Sequence, residues 1–184
     1  MAELSELTRS TASITSLESL LSSPAEIEPL QKFLRFRLDP TQSMLLAVEE
    51  IAAVQTILIS DILPVPQMSA CVLGMSNWRG ESLWLVDLSQ QLGFMSIVQQ
   101  SQRPTNLSAI VVQSDRNALG LVVPGIDEIE EHNPDALRHP SPDLFPQSIS
   151  LFIKGYFNRD RSVVLNISAV MQDPSLHIHN FNSF

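Results

Sequence analysis

The sequence predicts an all-β protein made of two small barrels packed together. Three observations point there. Short runs with strand character recur along the chain, each closed by a turn signal, which is the pattern of a barrel or sandwich. The 12 prolines leave few long helical stretches. The chain also carries a weak internal repeat. VLGMSNWRGESLWLVDLSQQL resembles FIKGYFNRDRSVVLNISAVM, so that Gly74 matches Gly155 and Asn77 matches Asn158. Asp87-Leu88-Ser89 then matches Asn166-Ile167-Ser168 across a second turn that is two residues shorter. LLAVEEI (45–51) and GLVVPGI (120–126) form another such pair. Two similar β units account for a length of 184 residues.

Taken in order, residues 1–29 are rich in Ser, Thr and Glu and read as a flexible N-terminal extension. Within it, Thr15 and Glu18 have the spacing of a capping box, and Leu17, Leu20 and Leu21 make one short apolar face. A helix this short is marginal alone in water, so the reading is a tail with a transient helix, the alternative being a docked one. The body spans residues 30–172. QKFLRFRL (31–38) alternates Leu34, Phe36 and Leu38 against Lys32, Arg35 and Arg37, as a half-buried strand does. Asp39-Pro40-Thr41 is a turn. SMLLAV (43–48) and EIAAVQTI (50–57) read as strands, and Pro64 and Pro66 end that section. CVLGM (71–75) and SLWLVDL (82–88) pair across the turn Asn77-Trp78-Arg79-Gly80. Residues 89–93 read as one helical turn closed by glycine, and 96–106 as a polar connection.

LSAIVVQ (107–113) and ALGLVV (118–123) form a hairpin, followed by PGIDEIEE (124–131), whose acidic stretch reads as a solvated edge. Residues 132–148 carry four prolines and read as a loop. LFIKGYF (151–157) and SVVLNI (162–167) make the last hairpin, and 173–184 read as a frayed C-terminal tail.

Composition narrows the function. The chain is 44% hydrophobic and only 17% charged, so much of it is core or contact surface. A formal charge of −9 without a basic stripe repels phosphate backbones and anionic lipid, which argues against nucleic acid and against direct membrane insertion. Its apolar runs are far short of the ~18 residues of a membrane span, and MAELSELTRS lacks a signal-peptide pattern. A single cysteine, Cys71, excludes an intramolecular disulfide. Together these point to the cytoplasm.

Catalytic chemistry has little to stand on. His132, His139, His177 and His179 show no metal-ligand spacing with their neighbours, and no glycine-rich phosphate loop is present. Cys71 and Trp84 sit among apolar residues and read as core. Trp78 lies in a turn, where a large aromatic packs either on the fold or on a partner. The expectation is a non-enzyme with no cofactor and no metal.

Several motifs, in order and spacing, resemble the CheW family of chemotaxis coupling proteins: VEEI (48–51), G-x-x-N-x-R-G (74–80), L-V-D-L (85–88) and the ALGLVVPGIDEI segment. Trp78 stands where the family has Leu, Trp84-Leu85 where it often has Pro, and Pro124 where it often has Asp. The resemblance spans about residues 31–171. It implies two SH3-like β-barrel subdomains sharing a core, with short helical turns and no catalytic activity. It implies as partners a CheA-type histidine kinase and a methyl-accepting chemoreceptor. It implies protein-binding roles for Val48, Glu50, Gly74, Asn77, Trp78, Arg79 and Gly80, with Arg79 paired to Glu50, receptor contact between the barrels and kinase contact on the first. Trp78 and the Ser-rich extension are similar to the type IV pilus and phototaxis branch. A kinase regulatory-like domain standing alone, and a small ligand-binding barrel, are the alternative readings.

Overall fold

The computed structural model describes residues 29–99, 105–114, 117–159 and 161–176. The transient helix read around Thr15–Leu21 therefore falls outside the described residues. Alternating and doubly apolar runs become strands β1 (Gln31–Arg37), β2 (Ser43–Ala47), β3 (Ile51–Leu58), β4 (Val72–Trp78) and β5 (Glu81–Asp87). A short helix, α1 (Leu88–Gln91), precedes β6 (Asn106–Ser114), β7 (Asn117–Val123) and β8 (Gly125–His132). Then come β9 (Leu137–Arg138), α2 (Gln147–Ser150), β10 (Ile153–Phe157), β11 (Val163–Leu165) and α3 (Ile167–Met171). The fold is all-β with short helices, as the sequence predicts.

Three local readings are corrected. Val48–Glu50 is a 3-10 turn, so the two strands read as 43–48 and 50–57 are separated by a bend. The proline-rich stretch contains the two-residue strand β9 as well as loop, and His132 is the last residue of β8. Pro174–Leu176 closes into a 3-10 turn whose Leu176 is fully buried, so the packed body runs past Asp173.

The strands form two sheets, each curled in the manner of a small barrel. One has the order β8-β1-β2-β11-β10-β9 and the other β3-β6-β7-β5-β4. Neither is a contiguous half of the repeat. The hairpin β1–β2 from the first repeat joins the second repeat's strands, and the hairpin β6–β7 from the second joins the first repeat's strands. The registers show the equivalence. Leu85 of β5 lies beside Gly120 of β7, and Val164 of β11 lies beside Leu45 of β2, both in parallel pairing. Each repeat ends alike: the Asp87 side chain caps α1 by accepting from Gln90 N at 3.1 Å, and Asn166 caps α3 by accepting from Ala169 N at 3.2 Å. Residues matched between repeats by sequence thus do the same structural work.

The side-chain period of two explains how the sheets share a core. Along β6, Ile110 and Val112 enter the large cluster between the sheets, and Leu107, Ala109 and Val111 fill the sheet's own interior. Along β2, Met44 and Leu46 face the shared cluster, and Leu45 and Ala47 the other interior. Strands buried on both faces read as nearly continuous apolar runs, which is why AIVV, LGLVV and MLLA look alike in sequence.

Candidate functional site

Two of the seven residues singled out by sequence, Val48 and Glu50, sit on the bend where the chain crosses from one sheet to the other. Val48 is half-buried. The Glu50 carboxylate reaches back across the seam, with Oε1 3.7 Å from Nζ of Lys154 on β10. Its Oε2 is buried and has no hydrogen-bond partner.

The other five lie on the β4–β5 hairpin. Trp78 pairs with Glu81, so the loop proper is Arg79-Gly80. Both central residues have positive φ, +55° and +86°, which a type I′ turn requires and which the right-handed twist of a hairpin favours. Glycine adopts such a φ freely and arginine does not, so Arg79 holds a mildly strained backbone. Asn77 braces the loop by accepting from Gly80 N at 3.2 Å. The Trp78 ring packs on the apolar interior of its own sheet. Arg79 Cζ stands 4.8 Å from the Trp78 ring centroid, a cation–π arrangement. Gly74, further along β4, lets the Leu63–Pro64 backbone pass directly over it, where Leu63 and Met75 form a bridge.

The inferred Arg79–Glu50 pair is not formed. Paired registers place Ile51, Val112, Leu119, Trp84 and Met75 in one row across the sheet. Glu50 and the turn therefore lie toward the same end, but on opposite edges, with β6, β7 and β5 between them. Lys154 takes the carboxylate and Trp78 takes the guanidinium. An exposed cation–π contact is worth about 0.5–1 kcal/mol. Arg79→Ala should accordingly cost no more than about 1 kcal/mol in a urea melt. A loss near 3 kcal/mol would restore the buried ion pair.

A polar cluster that sequence reasoning missed lies inside the other sheet. Arg35 grips Glu130 through both carboxylate oxygens, with Nη2 to Oε2 at 2.8 Å, and also donates to Ser43 Oγ at 3.0 Å and Ser162 Oγ at 2.7 Å. His132 Nε2 lies 3.0 Å from Glu130 Oε2, and its ring stacks on Phe157 at 4.3 Å between centroids. Hydrogen bonds from Arg35 hold the Glu130 carboxyl below its ordinary range. The alternation in β1 was the available signal, since Arg35 shares a face with buried Phe33.

With this geometry in view, the comparisons are specific. Residues 32–174 match the CheW-like domain. The crystal structure of the scaffolding protein TtCheW from Thermoanaerobacter tengcongensis is similar with a TM-score of 0.61, covering 77% of this chain and 86% of that one. Sequence identity to it is 17%, so that likeness is one of fold. No curated protein sequence matches the chain. No helix among the described residues is long and apolar enough to cross a membrane.

Proposed function

The chain belongs to the CheW-like family, and on that premise we propose that it is a non-catalytic adaptor coupling a methyl-accepting chemoreceptor to a CheA-type histidine kinase. It works in the cytoplasm and serves taxis or pilus-based motility. The observation that carries this reading is the family match, which runs through both sheets and includes every candidate site residue. The fold is consistent with it. Both faces of the central strands are consumed by the shared core and the two interiors, which leaves edges, bends and hairpin turns as the surfaces able to meet another protein.

Receptor contact is assigned to the bend around Val48 and Glu50, at the seam between the sheets. A half-buried valine next to a carboxylate with an unused oxygen offers an apolar contact and one strong acceptor. Kinase contact is assigned to the sheet that carries the β4–β5 hairpin, through the Trp78–Arg79 turn. Gly74, Asn77 and Gly80 belong to the same site by shaping that hairpin.

Val48→Asp separates the two contacts. The purified variant should bind an immobilised receptor signalling-tip fragment at least tenfold more weakly, a change of ~1.4 kcal/mol. Its affinity for the regulatory domain of the kinase should stay within about twofold. Unchanged receptor affinity in a folded variant would remove the bend from the interface. Failure of the wild-type chain to bind either fragment would remove the adaptor reading.

A further inference from the structure

The two sheets are built on one repeat, so their ends can be compared position by position. At the mouth of the sheet containing β9 there is a cleft of about 470 Å³, lined by Leu30, His132, Asn133, Arg138, Phe157 and Arg159. Tyr156 pairs with Arg138 where, in the other sheet, Met75 is bridged to Leu63. By the same register His132 corresponds to Ile57, and in the sequence repeat Arg159, a turn residue, stands where the other hairpin has the strand residue Trp78. One barrel end is thus closed by apolar residues, with Ile57 and Trp78 in its interior cluster. The other end is open and polar, with Arg138 and Arg159 in its lining.

That basic cleft stands on an acidic chain. Arg138 and Arg159 are exposed, neither is ion-paired with a described residue, and a single carboxylate, Glu131, shares the lining. A guanidinium fork recognises a carboxylate by two parallel hydrogen bonds, and two arginines in one lining suit two carboxylates spaced i and i+2, which an extended segment presents on one face.

Such a segment lies next to it in the sequence. Leu30, on the cleft's rim, is preceded by Glu26-Ile27-Glu28-Pro29. Glu28 and Glu26 are two and four residues from Leu30, a span of at most ~7 Å and ~14 Å of chain. Residues 1–28 carry five glutamates and one arginine. We propose that this cleft is a carboxylate-binding site and that the chain's own Glu26-Ile27-Glu28 segment is its occupant. Tethering this close gives an effective concentration in the millimolar range, so an acidic segment of any other protein must displace the resident one. The site is separate from the bend and hairpin assigned to partners, and it does not depend on that assignment.

The test uses a fluorescein-labelled peptide, Pro-Ala-Glu-Ile-Glu-Pro, copying residues 24–29 and titrated by anisotropy into the full-length chain. The expected result is at least tenfold tighter binding to Glu26→Gln/Glu28→Gln than to wild type, because the tethered competitor has been neutralised. Adding Arg138→Ala/Arg159→Ala to that variant should reverse the gain. Both arginines are exposed, and a circular dichroism melt verifies the fold. If it is lost, Arg138→Gln/Arg159→Gln replaces the alanine pair. Equal binding to wild type and the glutamine variant would overturn the occupant. Binding indifferent to the arginines, or no binding to any variant, would overturn the site.

Discussion

Replacing Gly74 with alanine is expected to cost about 2–5 kcal/mol of stability and to lower the melting temperature by roughly 5–15 °C. Two independent strains add. Gly74 has φ +139°, a conformation that residues with a Cβ rarely adopt. A Cβ there would stand 2.3 Å from the carbonyl oxygen of Leu63 and 2.8 Å from its carbonyl carbon. Both obstacles are backbone, so no side chain can swing aside. The segment that would have to move is the one bridged to Met75, with Leu63 N to Met75 O at 2.7 Å and Met75 N to Leu63 O at 2.9 Å. Gly80→Ala isolates the first strain: φ is +86° and a Cβ would meet nothing within 4 Å, so its cost should be only ~1–2 kcal/mol. The ranking bears on the proposed kinase contact, in which Gly74 acts by shaping the hairpin. A Gly74→Ala chain that melts like wild type but no longer binds the kinase domain would make it a direct contact.

How much was legible in the sequence follows the range of each interaction. The β4–β5 hairpin could be read because its determinants are local, apolar alternation on both sides of Asn77-Trp78-Arg79-Gly80, although Asn77 and Trp78 belong to the strand and only Arg79-Gly80 to the loop. The repeat could be read because equivalent caps and glycines recur with nearly constant spacing. The exchange of hairpins between the two sheets could not. A strand apolar on both faces announces burial but not which sheet buries it, and MLLA and LGLVV are interchangeable on that criterion. Val48–Glu50 looked like strand because β-branched and acidic residues continue the pattern, whereas the chain bends there to change sheets. The Arg79–Glu50 pair failed because motif order carries no information about which edge of a sheet a residue occupies. Arg35 was misleading in another way. Its place opposite Leu34 and Phe36 suggested a solvated face, yet that second face is the interior of a barrel, and its partner Glu130 is 95 residues away.

That interior pair yields the other large effect. Arg35→Val should cost about 2–4 kcal/mol. Removing one member of a fully buried pair costs ~3–5 kcal/mol, and the Arg35 and Glu130 side chains are about one-fifth exposed, which moderates the figure. Most of the loss is the Glu130 carboxylate left without its bidentate donor, with His132 Nε2 its remaining neighbour. The repeat supplies the compensating change. Arg35 pairs with Leu45 as Val111 pairs with Gly120, and Glu130 pairs with Phe33 as Gln55 pairs with Ala109. The other sheet therefore runs the same positions with Val and Gln. Arg35→Val/Glu130→Gln should recover most of the stability, leaving a loss under ~1.5 kcal/mol, because no unpaired charge remains. The pH dependence separates the same cases. Arg35 lowers the folded pKa of Glu130, so the stability it brings is present above the unfolded carboxyl value of about 4.3. It is lost as pH falls through the lower folded value. Wild type should weaken on acidification below about pH 4.3 by a component that the double variant lacks. If the double variant loses as much stability as the sum of its single changes, or keeps the wild-type acid slope, Arg35 and Glu130 do not stabilise the fold as a pair.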